Sequence, residues 1–548
     1  MSKTEVISGT IVDVLERRMY GGEITISDGR IRSVVPKADV APGYLMPGFV
    51  DAHVHIESSM LVPSQFARLA VRHGTVATVS DPHEIANVLG VAGVEFMLRD
   101  AATVPLVVAF GAPSCVPATP FESAGAVIGP EDVAALLADP RIGYLSEMMN
   151  YPGVVMGLPD VMAKIQAAHD AGKPVDGHSP QLTGKDLETY VAAGISTDHE
   201  CTTSAEAREK LGLGMKIAIR EGSAAKNFDA LIEILADHPG KVMFCSDDKH
   251  PDDLLRGHIN SLCARAIAAG MDLWDVLEAA CVTPVNHYNL DLGQLRPGDR
   301  ADLIRVTNLK EFDVLETFIG GVKVAEHGRE LFDTKPAVPV NQFVPPAISV
   351  GDFAVRAEGK RIRVIQAIDG AIVSGSVERD ATIQAGMAVA DPARDLLKMT
   401  VVNRYIAAPP AVAFIEGFGL KRGALASSVA HDSHNIVAVG VSDEAIMAAV
   451  QAVSRAGGGI AAVDGGSDAA DVRVLELPVA GLMSAAPGEE VAAAYEELDA
   501  FAKTLGSGLK APFMTLSFMA LLVIPALKLG DRGLFDVTRF EFVPLFLE

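Results

Sequence analysis

The chain has 548 residues, 49% apolar and 21% charged, a profile of folded domains with buried cores that excludes a disordered protein. A net charge of -24 excludes a nucleic-acid partner, because phosphate binding needs a basic footprint, and leaves a small molecule as the expected substrate. Two or three domains are expected at this length.

The five cysteines, Cys115, Cys201, Cys245, Cys263 and Cys281, form no Cys-x-x-Cys pair. That rules out a zinc ribbon and the cysteine-based zinc deaminase signature, and it suits a reducing cytoplasm. Met1-Ser2-Lys3-Thr4-Glu5 lacks the basic-then-apolar pattern of a signal peptide, so the expected location is cytoplasmic. The most apolar run, Phe513 to Leu527, carries Pro525 and falls short of the roughly 20 residues a membrane span needs. It reads as buried core, with no membrane partner.

Residues 4 to 46 alternate apolar and polar positions, broken by Gly21-Gly22 and by Asp28-Gly29, the latter a hairpin signal. From 47 to 288 the pattern becomes strand, polar loop, helix, repeated. Helices are expected from Ser64 to His73 and from Pro159 to Ala171, ending at Gly74 and Gly172. Eight apolar runs read as strands: Pro47 to His55, Thr75 to Ser80, Pro105 to Phe110, Ile142 to Ser146, Lys173 to Gly177, Gly194 to Thr197, Met215 to Ile219 and Lys241 to Ser246. Strands alternating with helices imply a parallel sheet, and eight such units suggest a (β/α)8 TIM-like barrel with reactive side chains at the carboxyl ends of its strands.

Alternation returns over residues 289–334, which are expected to pair with 1–46 as one discontinuous β-sandwich subdomain. A proline-rich connector, Lys335-Pro336 through Pro345-Pro346, leads to a separate C-terminal α/β (α+β) domain over 347–548. It has strands such as Ile362 to Ile368 and Ile436 to Val441, and helices at Asp443 to Arg455 and Glu489 to Leu505. Gly457-Gly458-Gly459 and Gly465-Gly466 lack a phosphate-loop lysine or a dinucleotide fingerprint and read as turns.

A strand places His53 and His55 on one face. Alone, the pair reads equally as core histidines held by backbone partners. Four more strand ends add Glu147, His178, His199 and Asp247. Imidazole plus carboxylate without thiolate suits Mn(II) or Fe(II), with Zn(II) as the remaining option. Six ligands exceed what one open catalytic ion uses, so two divalent ions with a bridging carboxylate are expected, able to hold a hydroxide at neutral pH.

The opening Leu45-Met46-Pro47-Gly48-Phe49-Val50-Asp51-Ala52-His53-Val54-His55 and the closing Ala280-Cys281-Val282-Thr283-Pro284-Val285-Asn286 resemble the amidohydrolase superfamily, as does Gly298-Asp299-Arg300-Ala301-Asp302-Leu303. Within it the chain is similar to the adenine deaminase family. The matching stretches are His55-Ile56-Glu57-Ser58-Ser59-Met60, Ser80 through Val88, Gly177-His178-Ser179-Pro180, Asp198-His199-Glu200, Ser246-Asp247-Asp248 and His431-Asp432-Ser433-His434-Asn435. Many superfamily members carry a carboxylated lysine after the fourth strand, where this chain has Glu147.

The resemblance implies that His53, His55 and Asp247 hold one ion, His178 and His199 the other, and Glu147 both. It implies hydroxide attack at C6 of adenine, giving hypoxanthine and ammonia. Asp247 is the expected base, and Glu84 the expected partner of ring nitrogen N1, unless it is a loop carboxylate or a charge at a helix N-terminus. His83, Glu200 and Asp248 either touch the substrate or orient ligands. Arg220, Glu221 and Ser223 either read the purine edge or form ordinary loop pairs. The 431–435 cluster, with His434 as a substrate-binding candidate, is a lid element, a further metal site or a polar turn. A homo-oligomer, dimer or tetramer, is expected. The rival activity is a cyclic-amide hydrolase of the hydantoinase or dihydroorotase kind, and the rival outside enzymology is a barrel kept as a scaffold.

Overall fold

Phe49–Val54 (β1) is buried at every position, as a strand covered on both faces must be. The computed structural model describes residues 4–223, 225–345, 347–465 and 471–547. The next strands are Thr75–Ser80 (β2), Val107–Ala112 (β3), Ile142–Met148 (β4) and Val175–Gly177 (β5). Thr197–Asp198 (β6), Lys216–Arg220 (β7) and Val242–Cys245 (β8) complete the set. All pair in parallel, β1 to β5 in one ladder and β6 to β8 in another. Single parallel bridges, Val175 with Ile195 and Val54 with Asp247, join the two ladders into the expected barrel.

The helices stop where glycine lets the chain reverse. Pro63–Ala70 continues as a short 3-10 turn, Val71–His73, capped by Gly74 at φ 81°. Pro159–Asp170 is followed by Gly172 at φ 64°. Gly48 answers to space instead. A Cβ there would lie 2.2 Å from Val76 Cγ1, so a side chain would push β1 away from β2.

The segments on either side of the barrel meet in one eight-stranded sheet. Tyr44–Pro47 lies parallel to Thr4–Asp13 on one side and antiparallel to Leu303–Val306 on the other, with Pro47 opposite Leu303. Asp28 (φ 56°) and Gly29 (φ 75°) form the expected hairpin turn between Ser27 and Arg30. Gly21 and Gly22 do not break the chain. They lie inside Arg18–Ser27, where Gly22 leaves room for Ile11 on the neighbouring strand.

The C-terminal region is built on a second eight-stranded mixed sheet. Arg361–Gln366 and Ile436–Gly440 are two of its strands, and Asp443–Arg455 and Gly488–Thr504 are its longer helices. Gly457 to Gly459 make the expected turn with positive φ, and Gly465 also has positive φ. Gly466, Pro346 and Met1 to Lys3 lie outside the described residues. Pro512–Phe518 is a buried helix, and no described helix is long and apolar enough to cross a membrane.

This region closes over the carboxyl ends of the barrel strands. Ser484 N donates to Met60 O at 2.7 Å, and Asn435 Nδ2 donates to Ser123 O at 2.8 Å.

Candidate metal centre

His53 lies near the end of β1 and His55 just beyond it, and their imidazoles share a side as the two-residue period leads one to expect. Their Nε2 atoms lie 3.2 Å apart, both buried. Asp247 Oδ1 is 3.3 Å from His55 Nε2 and 3.7 Å from His53 Nε2. Glu147, near the end of β4, reaches the other pair: its Oε2 is 3.0 Å from His178 Nδ1 and 3.0 Å from His199 Nε2. The same carboxylate stands 3.7 Å from His55 and 3.8 Å from His53. The six expected ligands therefore converge, with Glu147 between the two groups.

The surrounding chain fixes each ligand. Asp247 N donates to His53 O at 2.9 Å and His55 N to Asp247 O at 3.3 Å, so the barrel closure itself sets the first group. Asp51, two residues before His53 on β1, accepts from Ser246 N at 3.0 Å and contacts His258 Nε2 at 2.8 Å. Lys210, fully buried, binds Asp198 and Glu206 at 2.8 Å each. Asp198 in turn accepts from Glu200 N at 2.6 Å and so shapes the loop bearing His199. The sequence analysis gives no role to Lys210 or Asp51; for Lys210 the available signal is a lysine on the core-facing side of its helix with Glu206 one turn before it.

The charges of the cluster compensate one another: burial disfavours the charged form of His55, His178 and His199, but the carboxylates of Asp247, Glu200 and Glu147 beside them outweigh it and raise all three above the ordinary histidine range. Burial alone would raise the Glu147 carboxyl, but the His178 and His199 imidazoles outweigh it and hold it well below the usual range. Asp247 is likewise held well below, its burial overcome by the Arg220 guanidinium and His55. His53 is pushed well below the ordinary histidine range by burial and by the neighbouring imidazoles, which keeps it neutral and free to donate a lone pair. Four imidazoles and two ionised carboxylates, directed at common points without a thiolate, fit hard-to-borderline divalent cations.

The other candidates divide. Arg220 Nη1 donates to Asp247 Oδ2 at 2.6 Å and also to Glu200, whose Oε1 is 3.6 Å from His199 Nε2. These two form a buried ion pair beside the histidine–carboxylate cluster. Asp248 faces the cavity and accepts from Ser58 Oγ at 2.5 Å. His83 lies between Asp81 (3.0 Å) and Glu147 (3.5 Å). Glu84 meets the C-terminal region: His431 Nδ1 contacts one of its oxygens and His434 Nε2 the other. His434 thus sits behind Glu84, away from the cavity surface.

Ser223 is not brought to the ligands. Its hydroxyl donates to Asp253 Oδ2 at 2.6 Å and accepts from His250 N at 2.8 Å, so it has no hydrogen free for a purine edge. Glu221 pairs with Arg265 at 2.5 Å, the ordinary loop pairing.

Above these side chains lies a narrow cavity, lined on the barrel side by Glu84, Glu200 and Asp248 among others. Its roof is supplied by the C-terminal region: Phe518, Leu521, Val523 and Ile524, with His431 and Asp432 beside them. Sequence reading took the apolar run as core alone, because a wall for a flat apolar ring and a core strand have the same composition.

Two family models match this chain, the amidohydrolase family over residues 44–324 and the adenine deaminase C-terminal domain over residues 371–541. Curated relatives match from end to end. An adenine deaminase of Salinibacter ruber is 56% identical over 544 residues, 99% of each chain. One of Methanosarcina barkeri is 53% identical over 551 residues, again 99% of each. End-to-end identity at this level, together with the two family models over the barrel and its roof, places the chain in the adenine deaminase family of the amidohydrolases.

Proposed function

We propose that the protein is a hydrolase that converts adenine and water to hypoxanthine and ammonia. The observation that carries this reading is likeness to adenine deaminases over both the barrel and its roof, because the roof completes the cavity. Two divalent ions, Mn(II) or Fe(II) in preference to Zn(II), would be held by His53, His55 and Asp247, by His178 and His199, and by Glu147 between them. When bound, such a pair supplies an activated water at neutral pH.

The protein's own groups do the rest. Asp247 presents Oδ1 toward the ligand cluster while Arg220 occupies Oδ2, so Oδ1 takes the proton as the water oxygen bonds to C6. That proton passes to the amine as the C6–N6 bond breaks, and the second proton of water ends on N1 of the product. Phe518 and the apolar roof exclude bulk water and face a flat ring. The five cysteines are free and buried, which supports a cytoplasmic setting.

The cyclic-amide alternative is not favoured, since the roof domain matches that of adenine deaminases. The test is ultraviolet monitoring of adenine conversion by Mn(II)- or Fe(II)-loaded protein beside Glu147→Gln. Loss of turnover and of bound metal in the variant supports the bridging role. Absence of adenine turnover in the loaded wild type overturns the reading.

A further inference from the structure

Glu84 belongs to the barrel, yet each of its carboxylate oxygens is engaged by a histidine of the C-terminal region. Ala430 N donates to His434 Nδ1 at 3.2 Å, which puts the His434 proton on Nε2, facing Glu84. His434 therefore spends both ring nitrogens on structure. His431 spends only one. Its Nδ1 faces Glu84, while its Nε2 is buried and has no hydrogen-bond partner, in a residue that lines the cavity.

The ring is held at three points. The His431 backbone N donates to Ser517 Oγ at 3.1 Å, Glu84 fixes Nδ1, and the imidazole stacks on Phe518 with centroids 5.0 Å apart and planes inclined by 16°. A carboxylate orienting one imidazole nitrogen while the other points at the reacting molecule is the arrangement by which histidine moves protons in hydrolases. A buried, unpartnered polar atom is also costly, and its cost is relieved when a ligand supplies the missing partner.

We propose that His431, oriented by Glu84 and supplied by the C-terminal domain, is the catalytic residue that hands a proton through Nε2 to a ring nitrogen of the bound purine. This rests on the adenine reading and moves the role of N1 partner from Glu84 to His431. As the water oxygen bonds to C6, Nε2–H gives its proton to N1, so the electron pair displaced from the C6=N1 bond is neutralised as it arrives. When the C6–N6 bond breaks, the remaining hydroxyl proton is released as the carbonyl forms, and it restores His431. The net change remains one water consumed and one ammonia formed. Burial lowers the affinity of this imidazole for a proton, but Glu84 and Asp248 more than reverse that and bring it to about 9, so the donor form is the populated one at neutral pH.

The experiment compares metal-loaded wild type with His431→Gln and His434→Gln. Gln at 431 is expected to lower kcat by about 100-fold or more with KM changed far less, the range for a lost general acid. Gln at 434, which removes a Glu84 contact from a residue that does not line the cavity, is expected to keep kcat within about 10-fold. Equal losses in the two variants would mean that His431 only holds Glu84, and near-normal kcat in His431→Gln would mean it does nothing; either overturns the proposal. Melting temperature and metal content control for folding. A crystal structure of the wild type with unsubstituted purine, which has no amine to lose, gives a readout that does not require turnover. His431 Nε2 within hydrogen-bond distance of a ring nitrogen is expected. Purine bound without that contact, or not bound at all, overturns the proposal even if adenine is deaminated, whereas absence of adenine turnover alone overturns only the function.

Discussion

Arg220 binds Asp247 through the carboxylate oxygen that faces away from the histidines: Nη1 to Oδ2 is 2.6 Å, whereas Oδ1 is 3.3 Å from His55 Nε2. One cation thus fixes the rotation of the carboxylate and leaves the working oxygen free. Arg220 is itself buried and shared with Glu200.

Replacing Arg220 by Gln should therefore do two things. Asp247 would lose its orientation, and kcat is expected to fall by about 100-fold, on the scale of misplacing a reacting group by about 1 Å. Two buried carboxylates would also lose their counter-charge, so urea denaturation of the chelated variant should show a loss of about 3 kcal/mol, the scale for breaking a buried pair. Wild-type kcat in this variant would contradict the role given to Oδ2.

Chelation should lower the melting temperature of the wild type and leave Glu147→Gln nearly unaffected. A ligand that binds only the folded chain stabilises it by mass action, about 2.7 kcal/mol at 100 times its dissociation constant. The matching measurement is differential scanning calorimetry with and without chelator, alongside metal analysis by mass spectrometry. Identical shifts in the two proteins would remove Glu147 from the ligand set.

Lys528 sits beneath the roof with its ammonium on the carbonyls of Phe518 (2.8 Å) and Ile372 (2.9 Å). Burial pulls it down to about 7 from 10.5. Between those limits the unfolded chain keeps a proton that the folded chain has released, so stability contributed at this site rises with pH, by up to about 1.4 kcal/mol per unit. Below pH 7 both states are protonated and the full cost of burying the charge remains. Urea midpoints of wild type and Lys528→Met at pH 7.5, 8.5 and 9.5 should diverge in favour of wild type as pH rises. A gap that stays constant would mean that the ammonium remains charged through this window.

Gly48→Ala tests the seating of β1. The added methyl would meet Val76 at 2.2 Å, and because the strand is buried on both faces the clash cannot be relieved outward. A loss of about 1–3 kcal/mol is expected, in line with overpacked cores. His53 and His55 ride on the same strand, so metal affinity should fall as well; unchanged stability and affinity would show that β2 yields.

Much of this was legible in the chain because polar residues at the ends of apolar runs can only gather where parallel strands end. The convergence of His53, Glu147, His178, His199 and Asp247 follows from period and position, which need no long-range information. Ser223 is undecided by sequence for the opposite reason: a loop serine can bond a neighbour such as Asp253, as it does in the structure, or face a ligand, and composition does not distinguish the two. Phe518 and His431 were harder still. Their contribution depends on how the C-terminal domain lands on the barrel, a contact between residues such as Glu84 and His431 that no local periodicity encodes.

The pairing of Pro47 with Leu303 has a consequence for how the polypeptide is made. Synthesis releases the amino-terminal strands first, yet the edge offered by Tyr44–Pro47 waits for partners that emerge only after the whole barrel has been translated. During that interval one strand edge lacks its partner, the kind of edge that can pair with another chain. The same order makes completion of this sheet a checkpoint, since it cannot form on a chain whose translation stopped inside the barrel.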